Sequence, residues 1–174
     1  KKSKKYKLTT NSNSNYYTLT NEDQWLLFDY THIDSASTIS ISLLDANTNS
    51  ISKKLKINPH QYQERNLNGE TKNIAVENYN SYIIPEMRTI SSNGNYLMYS
   101  TEDTSLFLVD LRQQNPKPIK INLEKNLNYS SKISIADDGK TFCILNEDNN
   151  NYNISFFDTF GKMKEQLIVE NNDY

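Results

Sequence analysis

The chain has 174 residues, a formal net charge of −2, 36% hydrophobic and 11% aromatic residues, and one cysteine. That is enough chain for one domain with its own core, and 12 Tyr with 6 Phe supply aromatic mass that disordered segments lack. The charge argues against nucleic acid as the main partner, because phosphate binding needs a concentrated positive field.

A lone Cys143 leaves no internal disulfide to form. It fits a reducing compartment, which slightly favours the cytoplasm, without excluding an oxidising one. No apolar run approaches the roughly 18 residues of a membrane span, and no signal peptide is visible, so the chain reads as soluble. It opens on Lys1 rather than Met, which reads as a fragment, a mature form or a trimmed piece.

Residues 1–15 form a basic polar linker with room for a strand near Tyr6–Leu8. Its Lys-rich start could touch an acidic surface, although a solvated terminus explains it as well. A first unit spans 16–57. Trp25–Tyr30 is its central strand, His32–Ser37 a loop, and Ile39, Ile41 and Leu43 alternate with Ser40 and Ser42 as a half-buried strand does. Residues 58–82 follow as a long insertion, polar and without clear periodicity, which reads as a loop outside the core.

A second unit spans 83–122, with strands at Tyr96–Ser100 and Ser105–Val109 and a last one carrying Ile119 and Ile121. A third spans 132–169. Its strands are expected at Thr141–Leu145, Asn153–Phe157 and Gln166–Val169, with a turn at Asn146–Asn151. Gly is scarce, only 4 residues, and about 25 Asn do the turn work instead, since Asn tolerates left-handed and Asx turns.

The three units share one phrase. Thr18-Leu19-Thr20 leads through Asn21–Gln24 to Trp25-Leu26-Leu27-Phe28. Thr89-Ile90-Ser91 leads through Ser92–Asn95 to Tyr96-Leu97-Met98-Tyr99, and Ser134-Ile135-Ala136 through Asp137–Lys140 to Thr141-Phe142-Cys143-Ile144. Each phrase is followed by an apolar run ending in Asp, at Asp45, Asp110 and Asp158. Ile90 and Ile135 lie 45 residues apart, against 71 for Leu19 and Ile90, and the difference falls in the insertion. A period near 40–45 residues is that of a four-stranded repeat whose units bury their faces on one another. Trp25, Leu27, Leu97, Tyr99, Phe142 and Ile144 are its expected core.

On these residues the chain resembles β-propeller repeats, in particular the WD40-like blades of the TolB and prolyl-oligopeptidase propellers. The apolar-Ser-x-Asp-Gly-Lys turn is matched by Ile90-Ser91-Ser92-Asn93-Gly94-Asn95 and by Ile135-Ala136-Asp137-Asp138-Gly139-Lys140. The first unit departs, with Asp23 in place of Gly. The resemblance implies an all-β fold of about three four-stranded antiparallel blades, part of a larger propeller whose remaining blades lie in the same protein or in another. It implies no activity.

Candidate chemistry is sparse. His32 with Asp34, and His60 with Glu64 and Arg65, lack a third ligand or a dependable helix. Asp137-Asp138-Gly139-Lys140 starts like a calcium loop but lacks the later ligands, so a β-turn is expected. No nucleophile elbow or phosphate-cradling Gly loop occurs. The expectation is therefore a scaffold without catalytic residues, metal or cofactor that binds another protein. Tyr30, His32, Asp34, Glu102, Asp103, Glu147 and Asp148 would form its rim. The alternatives are the gating propeller of a prolyl-oligopeptidase-like serine peptidase and a TolB-like exported propeller.

Overall fold

A computed structural model describes residues 14–19, 24–33, 36–45, 50–65, 69–75, 83–123, 127–128, 131–148 and 151–170. Within them the protein is all-β, with no helix. The first sheet is a meander of β1 (Ser14–Leu19), β2 (Gln24–Ile33), β3 (Ala36–Asp45) and β4 (Ser50–Ile57). The chain then forms β5 (Gln61–Arg65) and β6 (Thr71–Ala75) before the second meander, β7 (Ile83–Ile90), β8 (Tyr96–Thr101), β9 (Leu106–Asp110) and β10 (Ile119–Ile121). A third sheet contains β11 (Lys132–Ile135), β12 (Thr141–Asp148), β13 (Asn151–Asp158) and β14 (Met163–Glu170).

The middle sheet corrects the expectation of four strands. It has six, in the order β6-β5-β10-β9-β8-β7, because the stretch read as a loop contains a hairpin that adds to its outer edge. β5 runs parallel to β10, with Ile119 opposite Gln63 and Lys120 opposite Glu64. The hairpin is anchored by Tyr62, 8% exposed and edge-on to Phe107 at 5.4 Å between ring centroids. One aromatic on an otherwise polar five-residue strand is too little periodicity to read, yet burial of such a ring stabilises by about 1.5–3 kcal/mol. An Asx turn starts it, where the Asn58 side chain accepts from the His60 amide at 2.9 Å.

The repeated phrase is a repeated set of hydrogen bonds. In the second sheet the Ser91 amide donates to Tyr96, Gly94 to Ser91, Asn95 to its neighbour Asn93, and Leu111 to the Asn95 carbonyl. In the third sheet Ala136 donates to Thr141, Gly139 to Ala136, Lys140 to Asp138, and Thr159 to the Lys140 carbonyl. Gly94 and Gly139 have φ of 72° and 65°, the left-handed conformation that a side chain disfavours. The Asp that ends the third strand closes a turn both times. Asp110 accepts from the Arg112 amide and guanidinium, and Asp158 from the Phe160 and Lys162 amides and the Lys164 ammonium.

The first sheet is offset by one residue. Ile90 pairs with Leu97 and Ile135 with Phe142, but Leu19 pairs with Trp25. Its Asp45 pairs with Gln24, where Asp110 and Asp158 pair with Tyr96 and Thr141. The connection lacking Gly is thus one residue shorter than the gapless alignment implies. Two expected loops are also shorter: β2 and β3 take in His32, Ile33, Ala36 and Ser37, and β12 continues through Asn146, Glu147 and Asp148. Ladder pairing there overrides the weak strand preference of polar residues.

The three sheets stack face on face. Leu97, Tyr99, Phe107 and Val109 of the middle sheet bury against Ile39, Leu55 and Ile57 of the first. The alternate residues, Tyr96, Met98, Leu106 and Leu108, bury against Ile133, Ile135, Phe142, Ile144 and Phe157 of the third. All six residues of β8 are buried, as expected of a strand covered on both faces. Leu97, Tyr99, Phe142 and Ile144 are at most 2% exposed; the side chains of Trp25 and Leu27 lie outside those described. Between the second and third sheets, Asp137 accepts from the Ser92 hydroxyl at 2.6 Å and the Asn93 amide at 2.9 Å.

Candidate functional site

In the second and third sheets the β8–β9 and β12–β13 ends lie opposite the Gly-bearing turns, and the β2–β3 end of the first sheet is their counterpart. The rim residues read from the sequence gather at these ends. Tyr30 pairs with Ile39 and His32 with Ser37 near the end of β2, whereas Asp34 lies outside the described residues. Glu102 and Asp103 form the tight turn between β8 and β9. Glu147 and Asp148 are not in a turn as expected but form the last two pairs of β12, opposite Tyr152 and Asn151.

The middle of the three ends has the most structure. The Asp103 carboxylate accepts from the Thr101 hydroxyl at 2.5 Å, the Ser105 hydroxyl at 3.1 Å and the Ser105 amide at 3.3 Å. It closes its own turn. Thr104 is held at φ 62°, a conformation that costs a β-branched residue about 1–3 kcal/mol. The Thr104 amide to the Thr101 carbonyl at 2.8 Å and the Thr101 amide to the Ser105 carbonyl at 3.0 Å keep it there.

This turn borders a cleft of about 220 Å³, whose other wall is Lys120, Ile121, Asn122 and Leu123, with Leu127 beside them. The Lys120 ammonium lies 5.9 Å from the centre of the Tyr62 ring, within cation–π range. Burial, and then the nearby Glu64 and Asp103 carboxylates, push the Tyr62 hydroxyl above its ordinary value. Tyr62 therefore keeps its proton and is no base. Asp103, Lys120, Tyr62 and Glu64 come from three separate segments, and the last three were not among the residues expected from sequence. The added hairpin contributes two of them.

The cleft is below the roughly 300–1,000 Å³ of small-molecule sites. Its lining sets one cation, Lys120, against one carboxylate, Asp103. Among the described residues no group of three His, Cys, Asp or Glu could hold a metal ion. His60 sits in a turn and Glu64 on β5, so they do not share a helix face. The Asp137–Lys140 segment is a β-turn, and hydrogen bonds from Ser92 and Asn93 hold the Asp137 carboxyl below its ordinary value. Burial alone would raise the Asp158 carboxyl, but Lys164 and the Lys162 and Phe160 amides outweigh it and hold it low. Burial pushes the Cys143 thiol up, away from the reactive thiolate. No helix among the described residues is long and apolar enough to cross a membrane.

No family model matches the chain, and no curated protein matches it. Two solved structures are similar at low level. One is a functionally unknown protein from Desulfotomaculum acetoxidans DSM 771, at 13% identity and TM-score 0.39, covering 85% of this chain and 53% of that one. The other is described as a putative 6-phosphogluconolactonase from Bacteroides uniformis ATCC 8492, at 13% identity and TM-score 0.38, covering 87% of this chain and 55% of that one. The chain spans about half the length of each.

Proposed function

We propose that this chain is a segment of a β-propeller that binds another protein and carries no catalytic centre of its own. Three stacked sheets, two of them with the same turn and closing Asp, support the propeller reading. The observation that carries the binding reading is the cleft at the Asp103–Ser105 turn. It is sized for one side chain and sets Lys120 on one wall against the Asp103 turn on the other. A rigid scaffold that presents a polar loop with one strained residue is a usual setting for recognition. Glu102 and Glu147, both exposed, extend an acidic surface on the neighbouring hairpin ends and favour a partner with basic side chains.

The test is a partner captured from the native proteome by crosslinking and then titrated as purified protein. Glu102→Lys with Lys120→Glu should weaken its binding at least about tenfold, equivalent to 1.4 kcal/mol, and leave the thermal melt unchanged. Equal affinity for the variant would remove the rim from the reading. A hydrolytic activity that copurifies with the intact chain would overturn the non-catalytic part.

A further inference from the structure

Asn93 is followed directly by Gly94 in the turn that joins β7 to β8. In this order the glycine amide nitrogen, with no side chain to shield it, can attack the side-chain carbonyl carbon of the asparagine. A bond forms between Gly94 N and Asn93 Cγ, and the Gly94 amide proton passes to solvent base. The Cγ–Nδ2 bond breaks, and Nδ2 takes up a proton from water and leaves as ammonia. Water then opens the cyclic imide at either carbonyl. One product is aspartate; the other is isoaspartate, whose main chain runs through the former side chain. Water is the only co-reactant.

The folded turn stands in the way of this chemistry. The Asn93 side-chain oxygen accepts from the Ser91 hydroxyl at 2.8 Å and the Asn95 amide at 3.0 Å. Its nitrogen donates to the Asp137 carbonyl at 2.9 Å, and the Gly94 amide donates to the Ser91 carbonyl at 2.9 Å. Gly94 and Ser91 are buried, and Asn93 is half-buried. Closing the imide strips the proton with which Gly94 reaches Ser91. It also removes the nitrogen with which Asn93 reaches Asp137. Two hydrogen bonds are therefore lost before any product forms, one of them from a buried carbonyl that is left without that partner. The second bond crosses from the second sheet to the third, beside those of the Ser92 hydroxyl and the Asn93 amide to the Asp137 carboxylate.

The third sheet shows what a carboxylate does in the same turn. Asp138 occupies the place of Asn93. It accepts from the Lys140 amide as Asn93 accepts from Asn95, and Gly139 follows it at φ 65° as Gly94 follows Asn93 at 72°. Asp138 is exposed. The turn itself asks only for an acceptor. At position 93 the docked third sheet asks for a donor as well. A carboxylate there would set an oxygen where Nδ2 now stands, acceptor against the Asp137 carbonyl and close to the Asp137 carboxylate. Isoaspartate would lengthen the main chain inside the turn and carry Gly94 away from Ser91.

We propose that Asn93-Gly94 is a self-modifying site. Docking of the third sheet on the second holds it unreacted, and parting of the two sheets releases it to close and lose ammonia. The carboxylate that results keeps the sheets from docking as before. The site is a one-way record of how often the sheets part, and it stands apart from the cleft and from any partner.

Incubation of the intact chain in mildly alkaline buffer tests this, with peptide mapping by mass spectrometry to separate Asn93 from the second such pair in the sequence, Asn68-Gly69. Methyl transfer by an isoaspartyl methyltransferase reads the isoaspartate. Asn93 should convert at least about tenfold more slowly in the folded chain than in the chain unfolded by urea, as the loss of two hydrogen bonds implies. Ser92 and Asp137 are exposed turn residues. Asp137→Ala and Ser92→Ala should each speed conversion in the folded chain, Asp137→Ala by at least about threefold, because they ease local opening. Leu55→Val is the control, since Leu55 is buried between the first and second sheets. It should speed conversion less than Asp137→Ala does for the same loss of melting temperature. Asn93→Asp, one of the two products, should lower the melting temperature. Equal rates in the folded and unfolded chains overturn the proposal. So does a rate that follows melting temperature alike in the Leu55 and Asp137 variants, because global unfolding would then be the gate. An Asn93→Asp chain that melts like the wild type overturns the claim that the product blocks docking.

Discussion

The second and third sheets share their turn hydrogen bonds, their closing Asp and their register, yet only the second is covered on both faces. β8 is buried at every residue, whereas β12 is buried at Phe142 and Ile144 and only half-buried at Cys143 and Leu145. The hydrogen-bonded frame is therefore indifferent to its neighbours, and burial is supplied from outside. A turn can be read from its own residues. How much a strand stabilises depends on which sheet lies over it.

The largest expected effect breaks the comparison at the hairpin. Replacing 58–80 by a short Gly/Ser linker should abolish the cooperative melt, because it removes Tyr62 from the Phe107 cluster and strips β10 of its outer neighbour. This reverses the expectation from sequence, where the same stretch reads as a loop outside the core; a shortened chain that melts like the wild type would restore it.

Next in size is a pair of Phe substitutions. Phe107→Ala in the doubly covered sheet should cost about 3–5 kcal/mol by denaturant unfolding. Phe156→Ala, on the open face of the third sheet, should cost clearly less. Equal losses would mean that the open face is already covered in solution.

A smaller loss is expected at Gly139. It combines φ 65° with an approach in which an added Cβ would stand 2.2 Å from the Tyr96 ring. That ring also has the Arg112 guanidinium over it at 4.9 Å. Gly139→Ala should lower stability by about 1–3 kcal/mol from backbone strain, plus the displacement of Tyr96. Gly139→Ala with Tyr96→Leu should recover the second part and not the first.

The smallest effect concerns pH. Asp137 titrates below its ordinary value of about 3.9 in the folded chain. A depressed carboxylate contributes stability that is present above its unfolded value and lost as pH falls through the folded one. Acidification below about pH 4 should therefore loosen the second sheet from the third. Asp137→Asn should flatten the acid limb of a melting-temperature profile and leave it unchanged between pH 6 and 8. Asp158 acts in the same direction, so the flattening is partial. A variant with an unaltered acid limb would show that the Ser92–Asn93–Asp137 link adds nothing.

What was legible in the sequence is what local chemistry encodes. Ser91–Tyr96 and Ala136–Thr141 announce their turns through Gly and Asn or Asp, and the strands after them through unbroken apolar runs. The β5–β6 hairpin was not legible, because β5 has one buried apolar residue and β6 one half-buried residue, Ile74. Its parallel pairing with β10 has no local signature at all. Asn146–Asp148 read as a turn because their polar side chains resemble one, although the ladder to β13 continues through them. The one-residue offset of the first sheet is invisible to a gapless alignment. At the rim, Asp103 was legible as an acidic turn residue, but Lys120 comes beside it through the pairing of β10 with β9, and Tyr62 and Glu64 come near only through the non-local pairing of β5.

That pairing also sets an order of events. Every antiparallel partner in the three meanders is a sequence neighbour, closed by a short connection. Gln63 and Ile119, by contrast, are 56 positions apart, and a contact of such long span must wait for the loop between its ends to be organised. Synthesis from the amino end completes the first sheet and leaves Tyr62 waiting, its ring exposed, until Pro118 has emerged and can accept the Gln63 amide. The added hairpin is thus expected to lock after β8 and β9. Pulse-labelled hydrogen exchange should find the amide of Gln63 protected after those of β8 and β9, and equal protection times would place the hairpin in the folding nucleus instead.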